Sequence, residues 1–366
     1  VKRNTVGKAL VAAVITSVVL AGCGSDDNIG ASTATSKGSV KCGGKDELTG
    51  EGSTAQQNAI ALFNQAWGRL CAGNNVSYNA TGSAAGREQF VAGHVDFAGS
   101  DSPLRSDQIN PAAKRCHGHP VWHLPLVFGP VAVAYHLDGV NPLIVNADVL
   151  ARIFSGAITS WRDPLIAALN PAVALPDLEI TPIYRSDPSG TTDNFQKYLV
   201  AAAPQAWTKG TGTDFQGGVG DGAQTSGGVA QAVQSTPGAI GYVEKSFADQ
   251  ARISYAQIDT GSGAVALTDH TAANAIEDAK FIGSGNDLKL DLQALYSTRE
   301  PDAYPLLLAI YEIVCSRGYD VATSGAVKSF LNVATHDGQS GLSSAGYVPL
   351  PDKFKTRLVA AINAID

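Results

Sequence analysis

Two apolar runs, residues 124–135 (LPLVFGPVAVAY) and 305–314 (PLLLAIYEIV), constrain the fold more than anything else in the chain. Both are nearly continuous, rich in branched side chains and about as long as strands buried on both faces. A chain of 366 residues exceeds what one hydrophobic core usually serves, so two lobes are expected. One run near the first third and one near the end are placed to join two lobes as a double hinge. The expected division puts residues 46–128 and 306–366 in a first lobe and 129–305 in a second. With 44% hydrophobic and 16% charged residues, the chain is core-forming, neither disordered nor collagen-like. A formal charge of −7 argues against binding nucleic acid through bulk electrostatics.

From Glu47 onward, short apolar strands alternate with helical patterns, which predicts an α/β protein. Leu48-Thr49 leads into Gly50-Glu51-Gly52-Ser53-Thr54, after which Ile60, Phe63, Trp67 and Leu70 recur at helical spacing. The same order of strand, turn and helix recurs at residues 76–91, where the turn is Thr81-Gly82-Ser83-Ala84-Ala85-Gly86. A strand over 95–98 runs into Gly99-Ser100-Asp101-Ser102-Pro103, with Pro103 predicted in the first turn of another helix. A strand over 179–184 feeds Arg185-Ser186-Asp187-Pro188-Ser189-Gly190-Thr191-Thr192 and a helix that buries Phe195, Tyr198 and Leu199. Residues 210–228, dense in Gly and polar side chains, read as a surface loop near the cleft, and Phe354, Leu358, Ala361 and Ile362 mark a terminal amphipathic helix.

The first 22 residues read as an export signal. Lys2, Arg3 and Lys8 precede an apolar stretch over 9–20 that is too short for a permanent membrane span. Leu20-Ala21-Gly22-Cys23 looks like a lipobox, which makes Cys23 the expected lipid attachment site. The chain holds no Met, and Val1 reads as an alternative initiation codon translated literally. Loss of residues 1–22 removes three cations and moves the formal charge from −7 to −10. Residues 23–45 are then a lipid-anchored tether rich in Gly, Ser, Thr and Asp, with a reach of roughly 20–25 Å as a flexible coil. The expected location is the extracytoplasmic face of the cell membrane. There Cys42, Cys71, Cys116 and Cys315 meet oxidising conditions. Three pairings are open to four cysteines. Chain order favours Cys42–Cys71 and Cys116–Cys315, and without CxxC spacing or neighbouring His no metal site is expected.

Three turns carry the functional reading. Gly52-Ser53-Thr54, Gly82-Ser83 and Ser189-Gly190-Thr191 each sit between a strand and a helix. Alone, each is an ordinary N-cap. Together they offer hydroxyls beside the unpartnered N–H groups of helix N-termini, which attract anions. Arg185 adds a bidentate fork for anionic oxygens. Asp101 is the odd member, because a carboxylate repels an anion unless that anion brings a proton. It therefore selects a protonated oxyanion over fully ionised sulfate.

Residues 48–54, 82–86, 96–104 and 185–192 closely resemble the phosphate-binding receptors of bacterial high-affinity phosphate ABC importers, the PstS family. The resemblance extends through 153–161, 236–242 and 302–305 and covers nearly everything from residue 46 to the end. It implies a type II periplasmic-binding-protein fold, in which two α/β lobes close over one phosphate. Carried over by position, the ligand shell is Thr54, the backbone N–H of Ala55, Ser83, Asp101, Arg185, Ser189, Gly190 and Thr191. Ser53 stands behind these residues, and Asp187 holds the Arg185 fork. Two positions depart from the pattern: Ala55, where relatives can carry Phe, and Pro188, often Gly.

The implied protein is a monomeric receptor that catalyses nothing, needs no cofactor and delivers inorganic phosphate to permease subunits driven by a cytoplasmic ATPase. The enzyme alternative is a secreted phosphatase or serine hydrolase with Ser83 or Ser189 as nucleophile. It lacks a base, since none of the seven His lies in the turns. His117 and His119 fall in a polar loop before a strand and read as solvated. A phosphate-sensing surface protein without a transport role is the other alternative.

Overall fold

The computed structural model describes residues 41–277 and 279–366. The expected signal peptide, Cys23 and most of the tether lie outside the described residues. Among the described residues, no helix is long and apolar enough to cross a membrane.

One mixed sheet of nine strands organises the body. Its strands are β1 (Glu47–Gly52), β2 (Asn75–Asn79), β3 (Phe97–Ser100), β4 (Val121–Tyr135), β5 (Thr181–Arg185), β6 (Asp221–Ala223), β7 (Ala239–Glu244), β8 (Ser254–Tyr255) and β9 (Leu307–Cys315). They run in the order β2-β1-β3-β9-β4-β7-β5-β6, with β8 on β4. β1 is parallel to β2 and β3, β5 is parallel to β6 and β7, and β9 lies antiparallel between β3 and β4.

The two apolar runs are β4 and β9, adjacent and paired. Every residue of β9 is buried, as is β4 from His123 onward, which explains their nearly continuous apolar character, broken in β9 by Glu312. β4 changes partner along its length: Val121–Pro130 lies against β9, and Val131–Tyr135 against β7. Pro125 and Pro130 lack the N–H that a ladder requires, and the register slips by one residue opposite Ile310 and Tyr311. The Val131 N–H donates to the Leu306 carbonyl at 3.0 Å, so the chain returning into β9 is fastened at the change of partner.

Helices cover the sheet: α1 (Gln57–Leu70), α2 (Ser83–Ala92), α3 (Ser106–Arg115), α4 (Gly190–Ala202), α5 (Thr225–Ser235), α6 (Val321–Thr335) and α7 (Asp352–Asn363) are the principal ones. Each half of the sheet has its own aromatic core. In the first, Trp67 of α1 meets Phe330 of α6 edge-on at 5.5 Å, and Phe330 stacks on Phe97 at 5.7 Å. In the second, Phe195 of α4 stacks on Tyr242 at 4.3 Å, with Phe154 edge-on at 4.9 Å. α7 buries Phe354, Leu358, Ala361 and Ile362, the four positions its spacing predicts.

Three local expectations are corrected. β1 continues through Gly50 and ends at Gly52, because parallel pairing with residues 97–99 of β3 keeps this stretch in the sheet. The helix after Pro103 starts only at Ser106, and its proline is Pro111. Residues 210–228 are not all loop, since they contain β6 and the start of α5. β6 is a three-residue edge strand, held by tertiary pairing to β5, and has no periodicity for a sequence reading to detect.

Cys42 is bridged to Cys71 and Cys116 to Cys315. The second bridge joins residues 199 apart and ties the end of α3 to the end of β9. Replacing Cys116 and Cys315 together with Ser is expected to lower unfolding stability by about 2–5 kcal/mol. Chemical denaturation of the double variant checks this, and an unchanged midpoint and slope would show that the bridge adds nothing to the packed β9.

Candidate functional site

The three turns meet at one place. β1 and β3 run in the direction of β4 and β5 runs against it, so their C-terminal ends face one another across the middle of the sheet, and the chain leaving each passes directly into the site, at the carboxyl ends of strands where α/β proteins bind ligands. Asp101, just after β3, is at the centre. Its carboxylate accepts from Ser53 Oγ at 2.5 Å and Ser83 Oγ at 3.0 Å, while its own N–H donates to Ser83 Oγ at 3.1 Å. Burial raises the Asp101 pKa to about 7; the bonds from Ser53 and Ser83 and the charge of Arg185 oppose that rise, and Glu244 adds to it.

Arg185 ends β5. Its Nε donates to Asp187 Oδ1 at 2.8 Å and its Nη2 to Oδ2, while Nη1 points to Ser226 Oγ at 3.5 Å. Burial works against the Arg185 charge, but the paired Asp187 carboxylate outweighs it and holds the pKa above the ordinary value. Burial pushes Asp187 upward in turn, and its bonds to Arg185 and to the Thr225 N–H bring it below the usual carboxylate range. Asp187 thus orients the guanidinium rather than competing for a ligand.

Ser189 caps α4, accepting from the N–H groups of Thr191 at 3.1 Å and Thr192 at 3.4 Å. Thr191 Oγ1 donates to Glu244 Oε1 at 2.5 Å. Gly190, the first residue of α4, sits against the other half of the molecule. A Cβ there would fall 2.5 Å from Ser83 Oγ and 2.6 Å from Asp101 Cβ, so only glycine permits this approach. Gly82 has φ +109°, and a side chain there would reach within 2.9 Å of the Pro188 carbonyl.

All of the sequence-predicted residues come together, and none of Thr54, Ala55, Ser83, Asp101, Arg185, Ser189 or Thr191 exposes more than 3% of its surface. Further bonds cross between the halves: Thr54 Oγ1 lies 2.8 Å from Ser226 Oγ, Ser102 Oγ donates to Asp193 at 2.5 Å, and Asn194 Nδ2 donates to the Asp101 carbonyl at 2.8 Å. One detail differs from expectation: the Ala55 N–H is used inside its own turn, donating to Ser53 Oγ at 3.1 Å.

Ser226, Asn194 and Glu244 belong to the site and escape the sequence reading. Ser226 is in the stretch read as loop, and Asn194 is hidden within a helix. Glu244 does leave a signal, as a lone acid closing the otherwise uncharged buried strand AIGYVE. Among the described residues, no group of three or more His, Cys, Asp or Glu is arranged to hold a metal ion. Neither Ser83 nor Ser189 is bonded to a histidine: Ser83 Oγ donates to Asp101, and Ser189 Oγ caps its helix.

A sheet whose shared strand joins two α/β halves, with converging helix N-termini between them, defines the class of periplasmic-type binding proteins. Residues 30–337 match the PBP superfamily domain. The chain is 46% identical, over 100% of both proteins, to the phosphate-binding protein PstS 3 of Mycobacterium tuberculosis (strain ATCC 25618 / H37Rv). Among solved structures, a high affinity periplasmic phosphate-binding protein (PfluDING) bound with phosphate superposes with a TM-score of 0.70 at 23% identity, covering 86% of this chain and 93% of that one. The phosphate-binding protein from Stenotrophomonas maltophilia gives a TM-score of 0.64 at 18% identity, covering 86% and 94%. The chain belongs to the PBP superfamily and, within it, to the PstS family. Its relatives are binding proteins, not enzymes, and the hydrolase reading of Ser83 and Ser189 falls with that membership.

Glu312 on β9 lies near this cluster, fully buried, with neither carboxylate oxygen hydrogen-bonded. Burial raises its pKa to about 8. Asp101 and Glu312 therefore both have folded-state values above their unfolded ones. Their contributions to stability are complete below the ordinary carboxylate range and lost as pH rises through about 7 and about 8. The ligand-free protein should melt at lower temperature on the alkaline side of this window than on the acid side, and Glu312→Gln should reduce the difference. Thermal melts across the window check this; an alkaline rise in melting temperature would contradict it.

Proposed function

We propose that this chain is an extracytoplasmic receptor that binds inorganic phosphate, as hydrogen or dihydrogen phosphate, in the cleft between two lobes and delivers it to the permease of an ABC importer. One observation carries the reading. The Asp101 carboxylate is buried between two donating hydroxyls beside the Arg185 fork and the N-terminus of α4. Neutral donors and one guanidinium attract an oxyanion, and the carboxylate admits one that carries a proton. The proposed shell is Thr54, Ala55, Ser83, Asp101, Arg185, Ser189, Gly190 and Thr191, with Ser53 and Asp187 supporting it. The relatives named above, phosphate-binding proteins all three, support the same ligand.

The proposed lobes are residues 46–128 with 306–366, and 129–305, and the exchange of β4 partners between Pro130 and Val131, close to that boundary, supports the division. Closure by hinge motion then seals the ligand from water, and the bonds from Thr54 to Ser226 and from Ser102 to Asp193 act as latches. Residues 1–22 are proposed as a lipoprotein signal, Cys23 as the lipid-bearing residue and 23–45 as the tether that keeps a monomeric body at the membrane, near permease subunits served by a cytoplasmic ATPase.

Arg185→Ala should weaken phosphate binding by about 2–5 kcal/mol, because it removes the one cation of the shell and leaves the half-buried Asp187 without its counter-ion. Calorimetric titration measures this, and near-wild-type affinity would mean that the ligand lies elsewhere. Asp101→Asn should narrow the preference for phosphate over sulfate, since an amide donates to either anion. Competition titrations with both anions read the ratio, and an unchanged ratio would remove Asp101 from the filter.

A further inference from the structure

Arg87 is a buried cation that the proposed phosphate shell does not use. It lies on α2 with 1% of its surface exposed. Nε donates to Gln108 Oε1 at 3.2 Å and Nη1 to Ser100 Oγ at 2.9 Å, so neutral groups fix the guanidinium in place. Arg185 is paired with Asp187 and Arg105 with Asp107. Among the described residues, Arg87 forms no ion pair and its Nη2 makes no hydrogen bond. Burial and the nearby Arg105 charge lower the Arg87 pKa, while Asp193, Asp101 and Glu88 oppose that fall. A guanidinium nonetheless stays protonated, and a buried charge without a counter-ion is a costly arrangement that calls for a partner.

The guanidinium borders a cavity of about 510 Å³ that Asp101 does not line. Both halves of the molecule contribute to it. Ser102 and Arg105 come with Arg87 from the first half, and Asp193, Lys197 and Asp214 from the second. Asp193 is already engaged, because its carboxylate accepts from Ser102 Oγ at 2.5 Å and from Lys197 Nζ at 2.6 Å. The Arg105 and Lys197 side chains reach solvent. Three cations therefore face the space against that engaged carboxylate and the exposed Asp214.

We propose that this cavity is a second anion site, separate from the phosphate cleft, in which an inorganic oxyanion supplies the missing counter-charge of Arg87 and is held by Arg105 and Lys197 from opposite halves. A planar guanidinium with an unused N–H edge suits tetrahedral oxygens. Asp101 takes no part, so sulfate is as acceptable here as phosphate. An ion held by cations from both halves binds their closed arrangement more strongly than an open one. By linkage it raises the affinity of the cleft for phosphate, a consequence that rests on the phosphate reading and the hinge proposed above.

The test is calorimetric titration of the full chain with sulfate, with chloride at matched ionic strength as the blank and melting curves to confirm folding. One sulfate is expected to bind per chain, with or without saturating phosphate, and phosphate should bind more tightly when sulfate is present. Arg87→Met should weaken sulfate binding about tenfold or more. Arg105→Gln combined with Lys197→Gln should weaken it as well, and because both positions reach solvent this variant decides the matter even where Arg87→Met does not fold. A folded wild type that takes up no sulfate overturns the inference. So does sulfate that phosphate displaces, since it then occupies the cleft, or sulfate binding that neither variant weakens. A folded wild type that binds sulfate but no phosphate overturns the phosphate reading and leaves the second anion site standing.

Discussion

The antiparallel pair formed by β4 and β9 is the constraint on which the rest of the molecule depends. Its interior is apolar on both faces, so helices must cover it from both sides, and the remaining strands must add at its edges. β4 outruns its pairing with β9 by five residues, Val131–Tyr135, and those residues carry β7, β5 and β6. One strand thus serves two separately packed aromatic cores. The turns at the ends of β1, β3 and β5 face one another because the strands that bear them hang from the same central pair.

The site set between those cores resolves a problem of charge. A chain with a formal charge of −7 has no general attraction for an anion, and burying Asp101 and Glu244 in the site adds local repulsion. The compensation is short-range. Helix N-termini, hydroxyls and one guanidinium act within a few ångströms, in surroundings where water screens them little. Burial also changes Asp101. With a pKa near 7, it stands at the point where losing or gaining one proton costs least, which suits the proposed sharing of a proton with the ligand.

What the sequence reveals about the site divides along a physical line. Ser53-Thr54, Gly82-Ser83 and Ser189-Gly190-Thr191 can be read because capping is local: a strand, a hydroxyl and a helix follow one another within a few residues. The apolar runs can be read because double burial leaves almost no polar position to interrupt them, Glu312 being the exception. Ser226 and Glu244 reach the site by another route. Ser226 arrives because β6 is pinned to the sheet edge by β5, and Glu244 because β7 is registered on β4. Both facts belong to tertiary pairing. A lone acid at the end of a buried strand marks Glu244 as unusual, but only the register shows that it faces Thr191. The bulge in β4 and the extension of β1 through its glycines escape for the same reason.

Register also ties ligand chemistry to the proposed hinge. Glu244 lies opposite Val131, the first residue of β4 to pair with the second half, and Asp101 follows directly on β3, which pairs with β9. The two acids therefore belong to opposite halves and meet only across the cleft. Gly190 brings α4 to within contact of Asp101, and the Thr191 N–H that completes the cap is one residue further on. If the proposed hinge opens near Pro130–Val131, Asp101 parts from Thr191 and Glu244 and each meets water. In that scheme, closure would bring Asp101 back against the start of α4 in the same movement that excludes solvent.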